Sequence, residues 1–166
     1  MGETVIEIGL ATEADLDGIL DLQAANQLTN GGWLSANLPR ARVADMMNGM
    51  PLVVARSGSE VVGFLMFSSR EMCADVPVVQ SMLETYPGSA SAYVYGPICV
   101  GENARGQGLA QAMFTELSRR LPGCEGVLFI RQDNLASIRA HSKMGVRQVG
   151  GFMFNQVEHK VFAYLG

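Results

Sequence analysis

The sequence predicts one α/β domain over residues 1–166, and three observations carry that reading. Segments patterned as strands and as helices follow one another along the chain with no linker-like stretch between them. The hydrophobic fraction is 48% against 17% charged, enough for a core and too little charge for a disordered chain. The length of 166 residues fits a single domain, since domains commonly run to roughly 100–200 residues.

Val5, Ile6 and Ile8 predict a first strand. Thr12-Glu13-Ala14-Asp15 then reads as a capping box, and Leu16, Ile19, Leu20 and Ala24 follow at helical spacing. Asn30-Gly31-Gly32 breaks that helix. Pro39 suits the first turn of a second helix, with Val43, Met46 and Met47 on one face and Gly49 as its stop. Leu52–Ala55 and Val61–Phe67 flank the turn residues Ser57-Gly58-Ser59-Glu60, which predicts a β-hairpin. A short helix starting at Pro77 and ending before Pro87-Gly88 is expected within 69–90.

Ala92–Val100 reads as a fourth strand interrupted by Gly96-Pro97, where a bulge or an end of pairing is required. Leu109, Ala112, Met113, Leu117 and Leu121 mark an amphipathic helix closed by Pro122-Gly123. Gly126–Ile130 is a buried strand. Asp133 or Asn134 caps another helix, which Gly145 ends. Val146–Phe154 and Val157–Tyr164 finish as a hairpin around Asn155-Gln156.

Composition excludes several functions. Twelve Lys and Arg against sixteen Asp and Glu give −4, which argues against a nucleic-acid partner. Residues 1–104 carry 4 − 12 = −8, and residues 105–166 carry 8 − 4 = +4, so an anionic ligand is expected at the C-terminal part. Cys73, Cys99 and Cys124 are odd in number and widely spaced, and neither His141 nor His159 completes a metal-ligand spacing with them. Reduced thiols are therefore expected, with neither disulfide nor metal site. No run approaches the roughly 18 apolar residues of a membrane helix, and the first residues lack the pattern of a signal peptide. A cytoplasmic protein without a membrane partner is the expectation.

The segment richest in chemistry is Ile98-Cys99-Val100-Gly101-Glu102-Asn103-Ala104-Arg105-Gly106-Gln107-Gly108-Leu109-Ala110. It passes from a strand through a glycine-rich turn into a helix. A helix start presents unpaired N–H groups at the positive end of its dipole, suited to phosphate oxygens. Gly106 and Gly108 admit close backbone approach, and Arg105 adds a charged donor. Walker A needs Gly-Lys-Ser/Thr, and Leu109-Ala110 follows Gly108 instead; a Rossmann fingerprint needs a small residue where Gln111 stands. Taken alone, the glycines also fit a plain tight turn.

Arg105-Gly106-Gln107-Gly108-Leu109-Ala110 resembles the acetyl-CoA signature of the GNAT superfamily of N-acetyltransferases, Gln/Arg-x-x-Gly-x-Gly/Ala, at each specified position. A second block, Asn134 to Val146, is similar to that family's Asn-x-x-(Ala/Ser)-x-x-x-Tyr-x-Lys-x-Gly-Phe. The resemblance spans Ile6 to Tyr164 and is specific from Ile98 to Gly145. It implies a mostly antiparallel central sheet with a splayed fourth and fifth strand pair, flanked by helices. It also implies acetyl-CoA as cofactor and direct transfer of the acetyl group to a primary amine, expected on a small-molecule acceptor.

The resemblance further implies roles for residues. Arg105, Gly106, Gln107, Gly108, Leu109 and Ala110 would cradle the CoA pyrophosphate. Ile98 and Val100, with Cys99 between them on the same strand, would hold the pantetheine arm through their backbone; the Cys99 side chain reads as a small buried hydrophobe, not a nucleophile. Asn134 would bond the pantetheine, and Ser137 joins the cofactor-binding set. Arg139 and Lys143, i,i+4 on one helix face, either approach a phosphate or face solvent.

The sequence departs from the family at two points. His141 stands where many members place a Tyr that protonates the departing thiolate, so it either takes over as acid or only shapes the cleft. The carboxylate often found on the fourth strand is missing, with Gly96, Pro97 and Ile98 in its place. Glu71, Glu84 or water could serve as base, and Tyr95 with Tyr93 flanks the cleft by position. Trp33 either walls an acceptor pocket or anchors the core. Competing readings are a non-catalytic acyl-CoA-binding domain and a transferase for longer acyl chains. A homodimer through the C-terminal hairpin fits the family pattern.

Overall fold

The computed structural model describes residues 5–32, 34, 37–49 and 52–166. The elements follow the predicted order: β1 (Ile6–Leu10), α1 (Leu16–Ala25), α2 (Arg40–Gly49), β2 (Val53–Ser57), β3 (Glu60–Ser69), α3 (Pro77–Thr85), β4 (Tyr93–Val100), α4 (Leu109–Arg120), β5 (Glu125–Arg131), α5 (Leu135–Ser142), β6 (Arg147–Phe154) and β7 (Val157–Leu165). Among the described residues the seven strands have the hydrogen-bonded order β1-β2-β3-β4-β5-β7-β6. The β4–β5 pair is parallel. Pairs β1–β2, β2–β3, β5–β7 and β6–β7 are antiparallel. The chain forms two compact units, Met1–Met66 with Pro97–Leu117, and Phe67–Gly96 with Ser118–Gly166.

In the first unit, Ile19 of α1 and Val43 and Met46 of α2 bury against Val54, Phe64 and Met66 of the β2–β3 hairpin. Helical spacing puts the apolar side chains on one face, and burial of that face supplies most of the stabilisation. Gly58 takes the hairpin turn with φ +63°. The capping box at Thr12 is realised through Asp15, whose carboxylate accepts from the Thr12 backbone N–H at 2.8 Å. The first turn is 3-10, over Glu13–Asp15, so the α-helix begins later than the pattern suggests. Buried Gln23 makes a two-way bond with the chain ahead of α2: its Nε2 donates to the Leu38 carbonyl and its Oε1 accepts from the Leu38 N–H, both at 2.9 Å.

The second unit packs Val79 and Met82 of α3 against Val94, Val127 and Val161. The β6–β7 hairpin turns at Asn155 and Gln156, with φ of 49° and 65°. Positive φ at both central residues gives the twist that a two-residue hairpin needs. Between β4 and β5 the pairs are Tyr93↔Gly126 and Val94↔Val127. Pairing with β5 ends before Gly96-Pro97, as the missing proline N–H requires, and Gly96 takes φ +107°. Of the methionines in the acidic part, Met46, Met66 and Met82 fill cores.

An ion pair between buried Asp15 and half-buried Arg56 ties β2 to the start of α1. The Arg56 Nε donates to Asp15 Oδ1 at 2.8 Å, and its Nη2 donates to Asp15 Oδ2 at 2.5 Å and to the Leu10 carbonyl at 2.7 Å. The Arg56 bond holds the Asp15 carboxyl below its ordinary value, against the opposing effect of burial. A carboxylate with a depressed folded pKa contributes stability above its unfolded value, and that contribution fades as pH falls through the folded value. Asp15→Asn is therefore expected to cost about 1–2 kcal/mol at pH 7, because it removes the negative charge that the half-buried guanidinium faces while leaving it an acceptor. Urea unfolding checks this: the gap between variant and wild type should narrow as pH drops from 5 towards 2.

Candidate active site

β4 leads into a 3-10 turn, Glu102–Ala104, and then into the glycine-rich segment before α4. Buried Ala104 and Leu109 pin its two ends, while residues 105–108 are exposed. Gly106 and Gly108 have φ of +78° and +74°, a conformation that strains any side-chain-bearing residue. A Cβ added at either would meet nothing within 4 Å, so the backbone faces open space. The Ala112 N–H bonds the Gly108 carbonyl at 3.0 Å, closing the first α4 turn. The N–H groups of Leu109, Ala110 and Gln111 precede it without intrahelical acceptors. An open cavity of about 680 Å³ borders the turn, lined by Asn26, Gly32, Glu60, Glu102, Arg105 and Gln107 among others.

Arg105 does not point into open space. Its Nε donates to the Val100 carbonyl at 3.2 Å, and its Nη2 to Asn26 Oδ1 at 2.8 Å. The arginine of the signature thus braces the turn with its side chain. Cys99 is buried in the first unit's core, and burial pushes its thiol up to about 11. A thiol held so fully protonated is a poor nucleophile. Ile98 and Val100 are half-buried on either side of it.

The second unit holds an aromatic, hydrogen-bonded cluster. Tyr95 and His141 are both buried, and Tyr95 Oη lies 3.0 Å from His141 Nε2. The rings meet edge to face with centroids 5.5 Å apart. His141 Nδ1 lies 2.8 Å from the Ser137 carbonyl, which can only accept. The imidazole proton therefore sits on Nδ1, and Nε2 accepts from the Tyr95 hydroxyl. Burial lowers His141 below its ordinary value despite the Ser137 bond, and burial raises Tyr95. Both groups are neutral at pH 7. The structure places His141 beside Tyr95, as its hydrogen-bond acceptor.

Tyr93 and Tyr164 extend the cluster, their hydroxyls bonded to one another. Tyr164 packs edge on against both Tyr93 and Tyr95. Gly126 lies between the first two in the sheet, paired with Tyr93 on one side and Tyr164 on the other. A Cβ there would come within 2.4 Å of the Tyr164 ring, so the glycine makes room for it. Sequence reasoning missed Tyr164; its place opposite Gly126 in the last strand was the available signal. Asn134, not Asp133, caps α5, accepting from the Ser137 N–H at 3.3 Å. Asp133 is taken by Arg131 at 2.9 Å. Ser137 reaches the cluster through its backbone carbonyl and through its Oγ, 3.3 Å from His141 Nδ1. Trp33 lies outside the described residues.

The sequence matches the model of the acetyltransferase (GNAT) family over residues 20–146, well over half the chain. The chain belongs to the GNAT acetyltransferase family. Solved structures of that fold superpose along nearly its whole length. A GNAT acetyltransferase from Streptococcus agalactiae has a TM-score of 0.72 at 16% identity, covering 97% of this chain and 95% of its own. NAA60 of Arabidopsis thaliana in complex with acetyl-CoA gives 0.71 at 17% identity, covering 98% and 100%. YncA of Salmonella typhimurium with acetyl-CoA gives 0.69 at 19%, covering 97% and 94%. None of the curated protein sequences matches the chain. The mixed sheet with its parallel β4–β5 pair is thus the GNAT fold that the resemblance implied. No described helix is long and apolar enough to cross a membrane, and no described His, Cys, Asp and Glu side chains group as a metal site.

Three of the four tyrosines of this GNAT chain lie in the buried cluster. Burial raises Tyr95 and Tyr164 well above the ordinary phenol value and pushes Tyr93 up to about 12. Alkaline titration followed at 295 nm should leave most of the phenolate signal undeveloped at pH 11 in the folded protein. Unfolding in urea at that pH should release it.

Proposed function

We propose that this GNAT protein transfers the acetyl group of acetyl-CoA directly to a primary amine, expected on a small molecule. The observation that carries the reading is the open glycine turn at the start of α4. Gly106 and Gly108 stand in left-handed conformations with free space before them, ahead of unpaired helix N–H groups. Oxygen-rich anions suit that arrangement, so the turn fits the pyrophosphate of the cofactor. Gly106, Gln107, Gly108, Leu109 and Ala110 supply the N–H groups, and Ile98 and Val100 supply strand backbone for the pantetheine arm.

When bound, acetyl-CoA supplies an activated acetyl group and a thiolate leaving group, and one proton passes overall from the amine to the sulfur. Tyr95 is the proposed catalytic residue. Burial keeps its phenol un-ionised, so with its hydroxyl turned from His141 Nε2 it acts on the departing sulfur as a neutral hydrogen-bond donor, while the proton the sulfur gains comes from the amine. Until then His141 orients that hydroxyl from Nε2, and Ser137 fixes the imidazole from the other side. Direct transfer is favoured over an acyl-enzyme because Cys99 on β4 is buried and protonated. Holding the amine against the thioester supplies a large part of the acceleration in such a reaction.

The test is amine-dependent thiol release from acetyl-CoA, read with a thiol reagent. A panel of small cationic amines, small neutral amines and short peptides with free N-termini identifies the acceptor class. Turnover is expected with small amines, with longer acyl-CoAs slower. Tyr95→Phe should lower kcat by about 10- to 100-fold while leaving the KM for acetyl-CoA within about twofold. Tight acetyl-CoA binding without release for any amine would overturn the enzyme reading in favour of a binding domain.

A further inference from the structure

Asn26 has no role in the reaction described above, yet it is buried and reaches the glycine turn from the end of α1. Its side chain is used at both ends. Oδ1 accepts from Arg105 Nη2 at 2.8 Å, and Nδ2 donates to the Leu22 carbonyl at 2.9 Å. The orientation is fixed by chemistry, because a guanidinium has only donors and a carbonyl only accepts. Asn26 is also held by its backbone. Its carbonyl accepts from the Leu34 N–H at 3.0 Å. It also lies 2.0 Å from where a Cβ on Gly32 would stand. Gly32 and Leu34 thus pack on the Asn26 backbone and fix the point from which its side chain reaches Arg105.

Arg105 is exposed, and an exposed arginine ordinarily samples many rotamers in water. Here a shielded carboxamide oxygen and the Val100 carbonyl hold the guanidinium from two directions. The bond to Val100 closes the chain between β4 and the glycines onto itself. The bond to Asn26 anchors that closed segment to α1. We propose that Asn26 is a positioning residue for the cofactor turn: through Arg105 it holds Gly106-Gln107-Gly108 open to a pyrophosphate. The proposal deepens the cradle reading and rests on it. A turn preset in its binding conformation spares the ligand the cost of ordering it.

The experiment is calorimetric binding of CoA to the full chain, which needs no acceptor, alongside thermal unfolding. Asn26→Asp keeps an acceptor towards Arg105 but loses the donor to Leu22. Asn26→Ala loses both. A plain helix-end role predicts that the two behave alike in binding. The positioning role predicts that both variants unfold at lower temperature, while only Asn26→Ala weakens CoA binding, by roughly tenfold. Asn26→Asp should remain within about threefold of wild type. Arg105→Met should match Asn26→Ala, and the double variant should bind no worse than either single one, since the two act as a unit.

Unchanged CoA affinity in Asn26→Ala, or an equal loss in Asn26→Asp, would overturn the proposal. Gly108→Val separates the two levels of argument. If it binds CoA as the wild type does, the cradle falls and Asn26 with it. If it fails to bind while Asn26→Ala binds normally, only the role of Asn26 falls.

Discussion

Pro97 has no N–H to donate, and with Gly96 it marks the stretch where β4 no longer pairs with β5. Upstream of it the strand pairs with β5 in parallel at Tyr93 and Val94. Gly96 then departs from strand geometry with φ +107°, and the pairing stops. The first half of the strand delivers Tyr93 and Tyr95 to a buried aromatic cluster. The second half runs through Ile98, Cys99 and Val100 into the glycine turn. One strand therefore carries both Tyr95 and the approach to the proposed cradle. A continuous ladder would have committed to β5 the backbone groups on that edge, which are the ones proposed for a ligand.

Buried polar groups fix the rest. Asp15 with Arg56, Gln23 with Leu38, Asn26 with Arg105 and Leu22, and Tyr95 with His141 are each matched donor to acceptor. A buried polar group without a partner costs more than a matched one gains, so each pair tolerates few alternative arrangements. These contacts specify position more than they add stability. The pairs differ in charge, however. The ionic one ties β2 to α1, while the cluster proposed for catalysis is neutral throughout.

Element order was legible because punctuation is local. Pro39, Gly58, Pro77, Gly96-Pro97, Pro122-Gly123 and Asn155-Gln156 each restrict backbone angles where they stand. The glycine turn was legible for the same reason. Partnerships across the chain were not. Asn26 and Arg105 are 79 residues apart, and Asp15 and Arg56 are 41 apart. Nothing in the neighbourhood of either residue announces the other. The choice of Asn134 over Asp133 as helix cap turned on Arg131, which claims Asp133 from the strand before. His141 stands out by its place in a family pattern, but its protonation is not legible there. Its sequence neighbours say nothing of the burial that keeps it neutral, nor of the Ser137 carbonyl that decides which nitrogen carries the proton.

The neutrality of the Tyr95–His141 pair has a consequence for the acceptor. Burial moves the titration of each away from pH 7, His141 downward and Tyr95 upward. In the amine transfer proposed above, the protonation that limits the reaction there is then the amine's own, since only the free base attacks. The pH at which turnover half-saturates should therefore travel with the basicity of whichever amine is offered. An aniline-like acceptor would show a plateau down to mild acid, and an alkylamine a rise that continues into the alkaline range. The pH profile becomes a fingerprint of the substrate instead of the protein.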